Sequence, residues 1–160
     1  MRLGKYFEHQ FVKSFHATCI GTQWFILRLK DIGAIKRADI GDYIIFYENA
    51  AFNIELKSRK NGIIYPSEIK TEYMQKQIEK WKSFKYKEYR IPLYIIKNSS
   101  TKELGVFAYD EFLSELSKGR IDYKSAKTII KFDNYKSPYN IKSLIEMIYS
   151  KTNLNNGLDI

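Results

Sequence analysis

Two carboxylates and a lysine carry the clearest chemical signal in this sequence. Asp42 opens an apolar run, Tyr43 to Tyr47, while Glu55 and Lys57 end a second one, Phe52 to Lys57. Charges on strands that otherwise read as interior are unfavourable unless they have partners. The chemistry that suits this set is metal-assisted hydrolysis of a phosphodiester. Two carboxylates can hold a hard divalent cation, which lowers the pKa of a water and polarises the phosphate. A lysine beside them can orient that water or bind the charge that develops in the transition state. Glu-x-Lys occurs a second time, at Glu68-Ile69-Lys70. That copy follows Pro66 and opens a helix, where a first-turn glutamate has a dipole role.

The elements that must position these side chains follow from periodicity. The short Glu48–Ala51 connection between the two runs predicts an antiparallel hairpin. A four-residue turn sets Tyr47 opposite Phe52, Ile44 opposite Glu55 and Asp42 opposite Lys57. Asp42, Glu55 and Lys57 then share one face at one end of the hairpin, with the diagonal Asp42–Glu55 pair roughly 7–8 Å apart by backbone position. A slip of one residue would send Asp42 to the other face.

Around the hairpin, Phe7, Phe11 and Phe15 recur at every fourth position and predict a helix over Leu3 to Ala17. Trp24 to Lys30 alternates as a strand, and Asp31 to Gly41 reads as a loop carrying Lys36 and Arg37. After the Asn61-Gly62 turn a helix is expected from Ser67 to about Lys85, with Ile69, Tyr73, Trp81 and Phe84 as its buried stripe. Gln77 lies four residues from both Tyr73 and Trp81, so its amide points inward and needs hydrogen-bonding partners. Backbone groups could supply them, and so could a catalytic face. Leu93 to Lys97 and Leu104 to Ala108 predict two more strands, Asp110 to Leu116 a short helix, Lys127 to Phe132 a last strand and Ile141 to Ser150 a closing helix. The expected fold is α/β, a mixed central sheet flanked by helices, in a single domain over residues 1–150. The polar residues 151–160 read as a flexible tail.

The chain has 160 residues with 27 Lys and Arg against 18 Asp and Glu, a formal charge of +9. Such a surplus favours a polyanionic partner through counterion release from phosphates. The abundance of Ile, Asn, Lys and Tyr also fits the residue bias of an AT-rich genome. The lone Cys19 excludes an intrachain disulfide and a thiolate zinc site. No signal-peptide core and no membrane-length apolar stretch is visible, so the expectation is a soluble, cytoplasmic protein without a membrane partner. The 13 tyrosines are dispersed and do not form the paired platform of single-strand binders.

The run DYIIFYENAAFNIELKSRK, from Asp42 to Lys60, resembles the motif of the PD-(D/E)XK nuclease superfamily, with Asp42 and Glu55 offset by 13 positions. It is most similar to the Holliday junction resolvases of the archaeal and RecU types. Those families also have a basic extension after the motif, like Ser58-Arg59-Lys60, a glutamine in the following helix, like Gln77, and a glycine and glutamate in the first helix, like Gly4 and Glu8. Gly41 departs from the proline common before the acid. The similarity spans roughly residues 3 to 113.

The resemblance implies a restriction-endonuclease-like nuclease core. It implies Asp42, Glu55 and the Leu56 carbonyl as ligands of Mg2+ (or Mn2+), Lys57 as the catalytic lysine, Glu8 near the metal or its water, and Gln77 in support. The implied activity is metal-dependent resolution of four-way DNA junctions by a homodimer in DNA recombination and repair. The competing readings are a restriction or repair endonuclease on the same core, and a DNA-binding protein with a vestigial site. Arg28, Lys30, Lys36, Arg37, Arg59 and Lys60 are candidate phosphate contacts. Asp39 is the alternative acid to Asp42. His9 and His16, two turns apart on one helix without a third ligand, read as surface or DNA-facing histidines.

Overall fold

A computed structural model describes residues 3–18, 24–28, 42–47, 50–83, 90–134 and 143–150. The apolar runs of the sequence become strands and the fourfold-spaced segments become helices. In chain order the elements are α1 (Leu3–Thr18), β1 (Trp24–Arg28), β2 (Tyr43–Tyr47), β3 (Ala50–Arg59), β4 (Ile63–Ile64), α2 (Pro66–Ile69), α3 (Glu72–Ser83), β5 (Arg90–Asn98), β6 (Glu103–Ala108), α4 (Tyr109–Ser117), β7 (Ile121–Asp122), a 3-10 turn (Tyr123–Ser125) and β8 (Thr128–Lys131). Residues 143–150 form a closing helix, α5.

One mixed sheet has the strand order β1-β2-β3-β5-β6-β8. Its β3–β5 pair is parallel and the other pairs are antiparallel. A parallel pair needs a crossover, and α2 and α3 supply it. Strands β3 and β5 lie in the middle, covered on both faces, which is why both are almost continuously buried. The two short strands β4 and β7 pair separately. This ribbon leaves no trace in the sequence pattern, because two-residue strands are too short to show alternation.

Side-chain alternation splits the core into two clusters, one on each face of the sheet. On the first, Phe7, Phe11 and Phe15 of α1 and Leu144 and Ile145 of α5 cover Tyr43, Ile45, Phe52, Ile54, Leu56 and Ile95. The three phenylalanines are essentially buried, and burial of each is worth about 1.5–3 kcal/mol. Phe11 stacks on Tyr43 with centroids 5.8 Å apart. On the second face, Ile69, Met74, Ile78 and Phe112 pack against Tyr94, Ile96 and Phe107.

Two expectations are corrected. The hairpin register places Tyr47 opposite Ala50, and Tyr43 opposite Ile54, so two residues rather than four separate the innermost pair. This slip of two preserves the side-chain face, because the strand period is two. The single helix expected from Ser67 to Lys85 is two helices that meet at Lys70 and Thr71. The Thr71 hydroxyl accepts from Met74 N at 3.3 Å and caps α3 as a new helix. The restart rotates the inward stripe to Met74 and Ile78 and leaves Tyr73 exposed. The Asp31–Gly41 loop, Phe84 and the 151–160 tail lie outside the described residues. Among the described residues no helix is long and apolar enough to cross a membrane.

Candidate active site

Asp42 stands immediately before β2, where the ladder to β3 ends. Its backbone N–H donates to the Ile54 carbonyl at 2.6 Å, and its Oδ2 accepts from Leu56 N at 2.8 Å. The side chain thus takes the place of the next β2 residue and is held at a fixed point on β3. The paired register ends at Tyr43–Ile54, and Asp42, bonded to the carbonyl of that same Ile54, sits just outside it. The expected pairing of Asp42 with Lys57 is therefore not formed; the Asp42 carboxylate instead binds Leu56 N, between Glu55 and Lys57 in the chain.

Glu55 and Lys57 are two apart on β3 and share its second face. The Lys57 ammonium lies 3.1 Å from Glu55 Oε1. Gln77 reaches the same oxygen from α3, its Nε2 donating at 2.7 Å. The inward amide expected from the sequence thus finds a carboxylate, not backbone. Tyr73, one turn earlier on α3, places its ring 5.4 Å from the Lys57 ammonium. The helical stripe alone puts Tyr73 in the core and gives no hint of this contact. The signal for it is the four-residue spacing to Gln77, which sets both on one side of α3.

Glu8 faces the site from α1 and pairs with Arg28 of β1 at 3.4 Å. Three carboxylates therefore act on one another here. Burial pushes the Asp42 carboxyl up to about 7, the Glu55 charge adds to this, the Leu56 N–H opposes it and Glu8 adds further. Glu55 is only 3% exposed, and burial raises its pKa too. Lys57 and the amide of Gln77 work against that rise, and Glu8 works with it. Such a pair carries negative charge that the protein's own groups leave incompletely compensated.

That deficit is what a divalent cation relieves. Among the described residues no three His, Cys, Asp or Glu side chains gather into a metal-binding group. Magnesium, however, is commonly held by one or two carboxylates with water filling its other positions. The backbone adds a donor. An extended residue directs its N–H and C=O to the same strand edge, so the Leu56 carbonyl points to the edge where Leu56 N meets Asp42. Asp42, Glu55 and the Leu56 carbonyl fit a hard cation by donor type. Glu8 is engaged by Arg28.

Of the basic candidates, Arg59 lies on the same face of β3 as Glu55 and Lys57. Its guanidinium is bound by both oxygens of Glu68, with Nε 3.1 Å from Oε2. Lys60 is exposed just past the strand. Arg28 pairs with Glu8 as described. Lys30, Lys36, Arg37 and the alternative acid Asp39 lie outside the described residues, as do Gly41 and the side chains of His16 and Trp81. His9 is exposed on α1 and does not join the site.

No protein-family model matches the chain, and no curated protein matches its sequence.

Proposed function

We propose that the chain is a metal-dependent DNA endonuclease that resolves four-way junctions. The observation that carries this reading is the convergence of Asp42, Glu55, Lys57 and Gln77, from the entry to β2, from β3 and from α3, on one largely buried carboxylate site. Burying two carboxylates is unfavourable for folding, so their convergence points to a task. A formal charge of +9 fits a phosphate-backbone substrate. The mixed sheet with flanking helices accords with a restriction-endonuclease-like core. The choice of a junction as substrate, and of a homodimer as the working unit, rests on the resemblance to junction resolvases.

Asp42, Glu55 and the Leu56 carbonyl would hold Mg2+ or Mn2+, which supplies Lewis-acid stabilisation of the phosphoryl oxygens and a more acidic water. The chain's own groups do the rest. Leu56 N fixes one Asp42 oxygen, which makes the other the candidate ligand. Gln77 and Lys57 favour the ionised form of Glu55 against its burial and hold it in one orientation. The Lys57 ammonium, anchored to Glu55, is placed to meet the developing negative charge on a phosphate. Arg59 and Lys60, at the end of the same strand, extend positive charge away from the site for backbone phosphates.

The test is a substrate panel of a synthetic four-way junction, a duplex, a flap and a single strand, each with and without magnesium. Paired nicks on opposing strands of the junction, dependent on magnesium, are expected. Cutting of duplex at one fixed sequence would instead make this a restriction-type enzyme. Binding to DNA without cleavage under any divalent metal would leave only a vestigial site.

A further inference from the structure

We infer that Tyr73 is a second functional group of this site: it positions Lys57 through its ring and stacks against the nucleotide flanking the scissile phosphate. This rests on the nuclease reading above. Tyr73 is 69% exposed, the most exposed large hydrophobic side chain among the described residues. A tyrosine so placed gains nothing from core burial, and loses the hydrophobic stabilisation that an inward position would bring. It is nevertheless tied to the site. Its ring lies 5.4 Å from the Lys57 ammonium, within the range of a cation–π contact. The Lys57 side chain is only 11% exposed, so the phenol ring forms part of its cover.

The geometry gives the ring two tasks. Lys57 Nζ meets both Glu55 Oε1, at 3.1 Å, and the Tyr73 ring, at 5.4 Å. An ammonium on a four-carbon stem has many rotamers, and contacts to both a carboxylate and a π face narrow them. Gln77, one turn further along α3, fixes the carboxylate that Lys57 touches. A single helix thus sets both contacts of the lysine. The solvent side of the ring remains an exposed aromatic surface beside the acids. A nucleotide brought to those acids through its phosphate carries its sugar and base past this surface. Stacking of a base on an aromatic ring is sequence-tolerant and worth about 1–3 kcal/mol. The chemical class recognised is thus a nucleotide with its base unstacked or at the edge of a duplex arm, of the kind a branch point provides.

The experiment compares wild type with Tyr73→Phe and Tyr73→Leu, which keep and remove the ring at similar volume. In the DNA-free protein, Lys57 ε-methylene proton resonances should lie upfield from ring current, stay there in Tyr73→Phe and move to ordinary lysine positions in Tyr73→Leu. On the four-way junction with magnesium, Tyr73→Leu should lower kcat and raise KM, each by about tenfold, while Tyr73→Phe stays near wild type. With calcium in place of magnesium, junctions carrying 5-iodouracil should crosslink to Tyr73 on illumination. Crosslinks that map elsewhere, with Tyr73→Leu cutting at the wild-type rate and Lys57 resonances unchanged, overturn the assignment. A wild-type protein that cuts no DNA but still crosslinks through Tyr73 upholds the DNA contact and removes the nuclease reading instead.

Discussion

Gln77 donates its side-chain amide to Glu55 Oε1 at 2.7 Å, joining α3 to the centre of the sheet through a carboxylate that is almost fully buried. The Lys57 ammonium meets the same oxygen, so two donors converge on one atom. Both favour the charged form of Glu55 against the burial that raises its pKa. Groups that support a metal-ligating carboxylate in this way typically contribute 10–100-fold to metal affinity or activity.

Gln77→Ala should therefore lower junction cleavage about 10–100-fold at neutral pH. The loss should shrink as pH rises, because the missing hydrogen bond makes Glu55 harder to ionise rather than removing it. Initial rates from pH 6 to 9 check this. A variant that matches wild type at every pH would mean that the Gln77–Glu55 bond has no part in the chemistry.

Asp42 makes a stability prediction with a definite sign. Its carboxyl is pushed up to about 7, above the ordinary 3.8, mainly by burial. The folded state then binds more protons than the unfolded one between those values. Asp42's contribution to stability is fully present below the unfolded pKa and is lost as pH rises through the folded one. Metal-free wild type should lose stability relative to Asp42→Asn by up to about 1.4 kcal/mol per pH unit across that window. Urea unfolding of both proteins from pH 4 to 8, in the presence of a chelator, measures the difference. A difference that does not change with pH would contradict the burial of an ionisable Asp42.

On the opposite face, Lys97 is 2% exposed and its ammonium lies 5.4–5.8 Å from the rings of Phe7, Phe132 and Tyr6. Burial lowers its pKa, Lys102 lowers it further and Asp133 works against both. A cation held below its unfolded pKa destabilises the fold at neutral pH, and the loss is regained as pH rises toward 10.5. Lys97→Met keeps the stem without the charge and should stabilise the protein by about 1 kcal/mol at pH 7. The gain should vanish above pH 10. Thermal melts at both pH values test it, and a Met variant that melts well below wild type at pH 7 would show that the three rings outweigh desolvation.

The legible part of the fold was set by local pattern. The fourfold spacing of Phe7, Phe11 and Phe15 and the apolar runs at Tyr43 to Tyr47 and Leu93 to Lys97 each declare their period within a few residues. The shared face of Glu55 and Lys57 was also readable, because strand alternation sets it and a register shift of two leaves it unchanged. What the sequence hid depends on a count or on tertiary context. Turn length between β2 and β3 decides which residues oppose, and two lengths of the same parity look alike in pattern. Thr71 restarts a helix through one capping bond, so an unbroken 3.6 period carried across it misplaced Tyr73. The Glu8–Arg28 pair joins residues 20 apart on different elements, and nothing in either local sequence announces it.

The most direct measurement of the central claim is cleavage of a synthetic four-way junction across a magnesium titration, by wild type, Asp42→Asn and Glu55→Gln, with junction binding followed in parallel. Each substitution keeps the side-chain shape and removes the ligand charge. Wild type should nick the junction only with the metal. Both variants should lose cleavage by about a thousandfold while binding the junction as tightly as wild type or more so. Cleavage by either variant at close to the wild-type rate would show that Asp42 and Glu55 do not hold the catalytic cation.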